Sequence, residues 1–249
     1  MIKLSEHQQS ILAGNIGTSG DQMAMELLVE SARILGAHSL IPIESSHIDG
    51  CLYHGDSGVL YCEKLAESGT QVKVPTSTNV GALNLTNFNQ TNLTKAKRDM
   101  AYRLMIAHQD MGCIPTWTCA PYQAGARPHY GQQVAWGESN AVAFTNSVLG
   151  ARTNRYGDFL DIACAISGHA PYYGLHIPKN RIASLVLDVS KLPRSLLQED
   201  AFFPVLGSMI GKLSGETICV VDGLLNNATE DQMKALCAGA ASTGSVGLV

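Results

Sequence analysis

Beyond residue 181 the chain alternates apolar runs with capped helical stretches, and this alternation restricts its fold more than any other feature. Ile182–Val189 reads as a strand, Asp200–Leu213 as a helix and Thr217–Val221 as a second strand. Thr229-Glu230-Asp231-Gln232 then has the spacing of a capping box that opens another helix, and Ser245–Val249 reads as the start of a further apolar strand. Strands separated by helices are joined by crossovers, which set them parallel. The expected class is therefore α/β with a mainly parallel sheet. A boundary is expected near Pro178–Arg181, giving one region over 1–180 and the start of a second α/β domain over 181–249. That second domain is expected to be truncated, because the chain stops inside an apolar strand.

The first region is less regular. Ser5-Glu6-His7-Gln8 has capping-box spacing before a short helix that Gly14 ends, and Ser19-Gly20-Asp21-Gln22 repeats the device before a helix over Asp21–Leu35. Leu40-Ile41-Pro42-Ile43 reads as a short strand feeding a polar stretch, and Gln71–Pro75 as a strand end followed by Thr76-Ser77-Thr78-Asn79. Thr94–Met111 has helical spacing at Ala101, Leu104, Met105, His108 and Met111. Pro115 and Pro121 then keep Cys113–Tyr122 out of any helix. Glu138–Leu149 and Asp158–Ser167 read as helices, the second with Asp158 as N-cap and Gly168 as terminator.

Composition excludes several classes of function. Charged residues are 15% of the 249 and the net charge is −4, so no basic field would draw the chain to nucleic acid or an anionic membrane. No run approaches the roughly 18 apolar residues of a membrane span. The first residues are polar and lack a signal-peptide core, so the cytoplasm is the expected location. Seven cysteines, an odd number scattered along the chain, argue against a disulfide framework.

Three polar stretches stand out: Ser45–Gly58, Thr76–Asn79 with Cys113–Tyr122, and Glu138–Asn154. Their Ser, Thr, Asn and Gly residues can present short donors to carboxylate oxygens, although the same types also build ordinary turns. Cys119 lies between prolines on rigid, non-helical backbone, which can present a thiolate at a fixed point for an iron centre. The Cys113–Cys119 spacing matches no common zinc or ferredoxin pattern. Cys164, Cys219, Cys237 and His108 fall on apolar faces and read as core residues. His47, between Ser46 and Asp49, is placed for a donor or acid–base role and equally for a structural hydrogen bond. Arg152 can clamp a carboxylate or meet free helix carbonyls. Glu138 can be a base, an iron-side ligand or a first-turn helix charge.

Taken in order, Ser46-His47-Ile48-x-Gly50, Val74-Pro75-Thr76-x-x-Asn79, Pro115-Thr116-x-Thr118-Cys119-x-Pro121-Tyr122, Trp136-x-Glu138-Ser139, Asn146–Asn154 and Pro171-Tyr172-Tyr173-Gly174-Leu175-His176 resemble the aconitase X family over nearly the whole chain. The Asn146–Asn154 run is the most specific of these. The resemblance implies aconitase-like α/β/α domains around an iron or iron–sulfur centre, closed by a separate small swivelling domain or subunit. It also implies that this chain is the N-terminal portion of a longer large region, with further iron ligands and the serine base outside it.

The activity so implied is hydro-lyase chemistry on a small hydroxy acid, such as conversion of cis-3-hydroxy-L-proline to Δ1-pyrroline-2-carboxylate. Carried over residue by residue, Cys119 is assigned to iron, and His47 and Glu138 to catalysis. Ser46, Asn79, Ser139 and Arg152 are assigned to the substrate. Many archaeal members read Cys-Thr-Cys-Thr-Pro where this chain has Trp117-Thr118-Cys119-Ala120-Pro121, which leaves the type of iron centre open. With Phe202–Gly207, Trp117 points to the bacterial hydroxyproline branch. Phosphomevalonate, the rival substrate, demands more cations than Arg152 and Arg155 supply. A cysteine hydrolase pairing Cys119 with His129, and a non-catalytic fragment or binding module, are the readings from other classes.

Overall fold

The computed structural model describes residues 2–87 and 90–249. They form two units, neither continuous in sequence: Met1–Arg127 with Gln133–Glu138 and Tyr156–Tyr173, and Pro128–Gln132 with Ser139–Arg155 and Gly174–Val249. In chain order, the first unit opens with α1 (Glu6–Leu12), α2 (Ser19–Ile34), β1 (Leu40–Pro42), β2 (Ser46–Ile48), α3 (Asp56–Glu67), β3 (Thr76–Thr78), α4 (Lys95–Asp110) and β4 (Ala135–Trp136). The second unit takes α5 (Ser139–Ser147), and the first resumes with α6 (Leu160–Ser167) and β5 (His169–Pro171). The second unit then holds β6 (Leu185–Asp188), α7 (Arg194–Leu197), α8 (Phe202–Ser214), β7 (Cys219–Asp222) and α9 (Glu230–Thr243).

In the first unit β2 runs between β3 and β4, parallel to both, with His47 opposite Ser77 on one side and Trp136 on the other. These strands are polar and still buried: Ser46, His47, Thr76, Ser77 and Thr78 are each at most 2% exposed. Hydroxyls survive there because carbonyls accept from them. Ser46 Oγ donates to Ala135 O at 2.7 Å, Thr76 Oγ1 to Val74 O at 2.8 Å and Thr78 Oγ1 to Ile114 O at 3.2 Å.

This corrects the placement of strands on apolar runs alone. The Val72 and Lys73 amides go to the carbonyls of Met111 and Ala165, so that run makes no ladder, and the strand is the polar Thr76–Thr78 that follows. Likewise the stretch expected to be a loop after Leu40–Ile43 contains the central strand, while β1 pairs antiparallel with β5 in a separate sheet. The chain after α4 lies along the free edge of β3, with the Ile114 amide on Thr76 O at 2.7 Å and the Thr118 amide on Thr78 O at 3.3 Å.

Helices α2, α3, α4 and α6 supply a core of Ala24, Val59, Leu65, Leu104, Met111 and Ile162 against Ile48 of β2. The expected face of α4 is buried as a whole. Thr18, not Ser19, caps α2: its hydroxyl accepts from the Asp21 amide at 3.0 Å, and Asp21 accepts from the Thr18 amide at 2.9 Å. Asp158 does not cap α6, which begins after Phe159 in a left-handed conformation, φ 73°, with no side-chain cap. Among the described residues no helix is long and apolar enough to cross a membrane.

In the second unit β6 and β7 pair in parallel, as the alternation of the sequence demands. Leu185, Leu187 and Val221 meet Phe203, Leu206 and Ile210 of α8 and Leu236 and Ala240 of α9. Ser245–Val249 is not a strand. Gly247 has φ 94°, outside the extended region, and the segment is held instead by α5 side chains. Asn146 Nδ2 donates to Gly247 O at 2.8 Å and Ser147 Oγ accepts from the Val249 amide at 3.0 Å.

Helices α8 and α9 approach closely at Gly207, where an added Cβ would lie 2.0 Å from the Leu236 carbonyl oxygen. Backbone cannot yield as a side-chain tip does. Gly207→Ala is expected to destabilise the protein by at least about 2 kcal/mol, read as a lowered midpoint in thermal unfolding. An unchanged midpoint would show that the two helices are not held at this spacing.

Candidate active site

Parallel α/β sheets place ligands at the carboxyl ends of their strands, and the sequence-selected polar residues of the first unit gather there. Side chains alternate along a strand, so His47, Ser77 and Trp136, which are opposite one another, share one face. Two residues further on, the same alternation brings Asp49, Asn79 and Glu138 to the exits of β2, β3 and β4. The segment along the edge of β3 then delivers Cys119 to the same end.

His47 is fully buried, with Nδ1 2.8 Å from Ser77 Oγ, while Nε2 has no hydrogen-bond partner among the described residues. Burial pushes its pKa down to about 3, against a smaller opposing effect of Ser77. It is therefore a neutral imidazole, able to donate or accept one hydrogen bond but carrying no charge. Asn79 is 4% exposed, donates through Nδ2 to Asp49 Oδ1, and leaves its Oδ1 buried without a partner among the described residues. Leaving a buried polar atom without a hydrogen bond costs about 1–3 kcal/mol, and the sheet end carries two such atoms, each able to bond an added polar group.

Cys119 is a half-buried free thiol. Burial, then the carboxylates of Glu138 and Asp49, raise its pKa, and a hydrogen bond from the Val80 backbone offsets part of this. Just before it, Trp117 sits at φ 44°, a backbone conformation costing a non-glycine residue about 1–3 kcal/mol. Its ring packs against Leu83, Ala101 and Met105, which holds that conformation in place. A cation would relieve the negative surroundings of the thiol. Among the described residues, however, no three His, Cys, Asp or Glu side chains stand together as a metal site. The Cys119 thiol has the chemistry of one iron ligand, and among the described residues no complete set of ligands surrounds it.

The other selected residues fall differently. Ser46 is committed to Ala135 O within the sheet. Ser139 opens α5 and Arg152 follows it, both in the second unit. There the Arg152 backbone amide donates to Gln132 O at 2.8 Å, and its guanidinium lowers the pKa of neighbouring His176 and Arg181 after the larger effect of burial. Arg181 spends its donors on Asn146 Oδ1 and O, Leu175 O and Ala151 O. His108 is the core histidine its position suggests, with Nδ1 2.8 Å from Leu104 O.

The sequence reading missed Asp49 and Asp161. Asp49 holds Asn79, and Gly137 is required beside it, because a Cβ there would come within 2.8 Å of the Asp49 Cβ. Recognising Ser46–Ile48 as a strand would have exposed Asp49, since alternation from His47 points to it.

The chain matches known proteins over nearly its whole length. The family profile described as "Aconitase X first domain" matches residues 1–179, and "Aconitase X second domain" matches residues 183–249. The chain is 40% identical over 245 residues to a cis-3-hydroxy-L-proline dehydratase of Hypocrea jecorina, covering 98% of this chain and 41% of that protein. It is 38% identical to the protein of the same name from Pseudomonas aeruginosa, covering 98% and 42%. It is 36% identical to a phosphomevalonate dehydratase large subunit of Thermococcus kodakarensis, covering 98% and 60%. The crystal structure of Thermococcus kodakaraensis aconitase X in its holo-form superposes with a TM-score of 0.87 at 34% identity, covering 99% of this chain and 61% of that one. The chain therefore spans about two fifths of the two hydroxyproline dehydratases and about three fifths of the archaeal proteins.

The buried histidines set the response to acid. His47, His108 and His176 are lowered from 6.5 to about 3, 4 and 3, so the unfolded chain takes up protons that the folded one refuses. Their stabilisation is present above 6.5 and is lost as pH falls. Asp161, raised from 3.8 to about 7 by burial, acts in the opposite sense: its contribution declines as pH rises through that window. Three groups against one give a net uptake of about two protons on unfolding near pH 5. The unfolding midpoint should fall from pH 7 to pH 4.5, and His47→Gln should flatten the slope by about one proton. A midpoint that rises toward pH 5 would contradict neutral buried imidazoles.

Proposed function

This chain belongs to the aconitase X family, and from that premise we propose that it forms part of a hydro-lyase acting on a small hydroxy acid, cis-3-hydroxy-L-proline in the first instance. The observation that carries the reading is the pair of buried, unpartnered polar atoms, His47 Nε2 and Asn79 Oδ1, at the carboxyl end of a parallel sheet. A hydroxy acid bearing an amine offers both a donor and an acceptor to such a pair.

In the proposed reaction the Cα–H and C3–O bonds of the substrate break, water leaves, and the cyclic enamine tautomerises to Δ1-pyrroline-2-carboxylate. His47 orients the substrate as a neutral hydrogen-bonding group. Glu138 is the acid–base group supplied by this chain and serves the departing hydroxyl. The Cα proton passes to a base on the small swivelling domain or subunit expected as partner. Cys119 holds one position of an iron centre, which when bound supplies Lewis acidity toward the hydroxyl. Ser139 and Arg152 bind the substrate carboxylate, Arg152 through its planar guanidinium, while Ser46 keeps β4 in register. Because Arg181 is occupied by carbonyl oxygens and Asn146, the cation supply favours a singly anionic substrate over phosphomevalonate.

The full-length protein, purified anaerobically with any small subunit, should convert cis-3-hydroxy-L-proline to Δ1-pyrroline-2-carboxylate. Glu138→Gln should lower kcat by about 100-fold or more. Dehydration of neither this substrate nor phosphomevalonate would refute the proposed activity. Cys119→Ala should lower the iron content, and unchanged iron would remove Cys119 from the ligand set.

A further inference from the structure

Asp161 is fully buried at the start of α6, and its carboxylate is engaged on both oxygens. Oδ2 accepts from the Asp49 amide at 2.8 Å and the Gly50 amide at 3.0 Å, and Oδ1 accepts from the Ile162 amide at 2.6 Å. A buried carboxylate is costly unless its lone pairs are met, and three backbone N–H groups meet them here. An apolar side chain would pack at this position at less cost. It would also leave the Asp49 and Gly50 amides without an acceptor just where β2 ends and its ladder stops.

The consequence runs outward from the core. Asp161 fixes the backbone of Asp49 and Gly50; the Asp49 carboxylate accepts from Asn79 Nδ2; and Asn79 thereby keeps its Oδ1 unpartnered. A Cβ on Gly50 would make only an ordinary contact with the Asp158 backbone at 3.4 Å, so packing at Gly50 does not pin the turn, whereas a Cβ on Gly137 would come within 2.8 Å of the Asp49 Cβ. Gly50 and Asp161 also line a cavity of about 110 Å³ with Cys62, His108 and Phe159, so side-chain packing on that side of the turn is incomplete and the three hydrogen bonds of the Asp161 carboxyl are its specific tether.

We propose that Asp161 is a positioning residue that clamps the exit of β2 and so aims the Asp49–Asn79 pair at the substrate. Its kinetic consequence rests on the proposed dehydratase activity; its structural consequence does not. Asp161→Asn keeps the shape but replaces one acceptor oxygen with a donor, which sets an NH2 group against the backbone amides.

In the full-length protein, hydrogen exchange at the Asp49 and Gly50 amides should accelerate at least about tenfold in Asp161→Asn. kcat should fall roughly 10- to 100-fold, as misplacement of a positioned group predicts, with KM changing less. Because Asp161 acts through Asp49, the double variant Asp161→Asn with Asp49→Asn should be no slower than Asp49→Asn alone. Unchanged amide protection, or kinetic losses that multiply in the double variant, would overturn the proposal. If Asp161→Asn does not fold, Asp161→Glu, which keeps the carboxyl group but shifts it by one methylene, takes its place in all three measurements. Should the wild-type protein dehydrate no hydroxy acid, the exchange measurement still decides the clamp, so the two failures are told apart.

Discussion

The first unit depends on one arrangement, a buried polar strand paired in parallel on both sides. β2 has only three residues, and its backbone is satisfied by β3 and β4 while its side chains bond within the sheet. Parallel pairing brings the three strands to an end together. From that common end the chain emits Asp49, Asn79 and Glu138, and the segment lying along the edge of β3 adds Cys119. An antiparallel neighbour on either side would send one of these residues to the opposite end. The apolar work is left mainly to the helices, with Ile48 of β2 reaching one core cluster and Ala135 of β4 packing with Met25, Leu28 and Cys164 in another.

That division of labour explains what the sequence discloses and what it conceals. In the second unit β6, α8, β7 and α9 each lie close to the expected segments and Thr229 caps α9 with Gln232 as its spacing indicates, while the apolar Ser245–Val249, expected as a strand, is not one. In the first unit, hydrophobic pattern misplaces the central strands, because Ser46-His47-Ile48 and Thr76-Ser77-Thr78 carry the hydroxyls and imidazole of turn-like segments. Helix α3 was hidden for a related reason. Its buried residues, Val59, Cys62 and Leu65, follow a glycine-rich polar start with no side-chain cap. Residue types selected for chemistry were therefore legible as motifs before they were legible as strands. Asp49 and Asp161 were invisible for want of that register, since their roles arise from where β2 stops.

The electrostatic character of the site follows from the same burial. Low-dielectric surroundings keep His47 neutral and hold the Cys119 thiol protonated beside Glu138 and Asp49. A neutral imidazole and an amide oxygen make a recognition surface without charge, while the negative surroundings of the thiol suit a cation. Within the second unit, Arg152 lies near an Arg181 whose own donors are occupied by Asn146 and backbone carbonyls.

His47 Nε2 and Asn79 Oδ1 at the sheet end are the atoms proposed to receive the hydroxy acid. A crystal structure of the full-length protein with cis-3-hydroxy-L-proline tests this most directly. The account predicts polar atoms of the ligand within hydrogen-bond distance of His47 Nε2 and Asn79 Oδ1. A ligand bound elsewhere, with both atoms still unpaired, would contradict it.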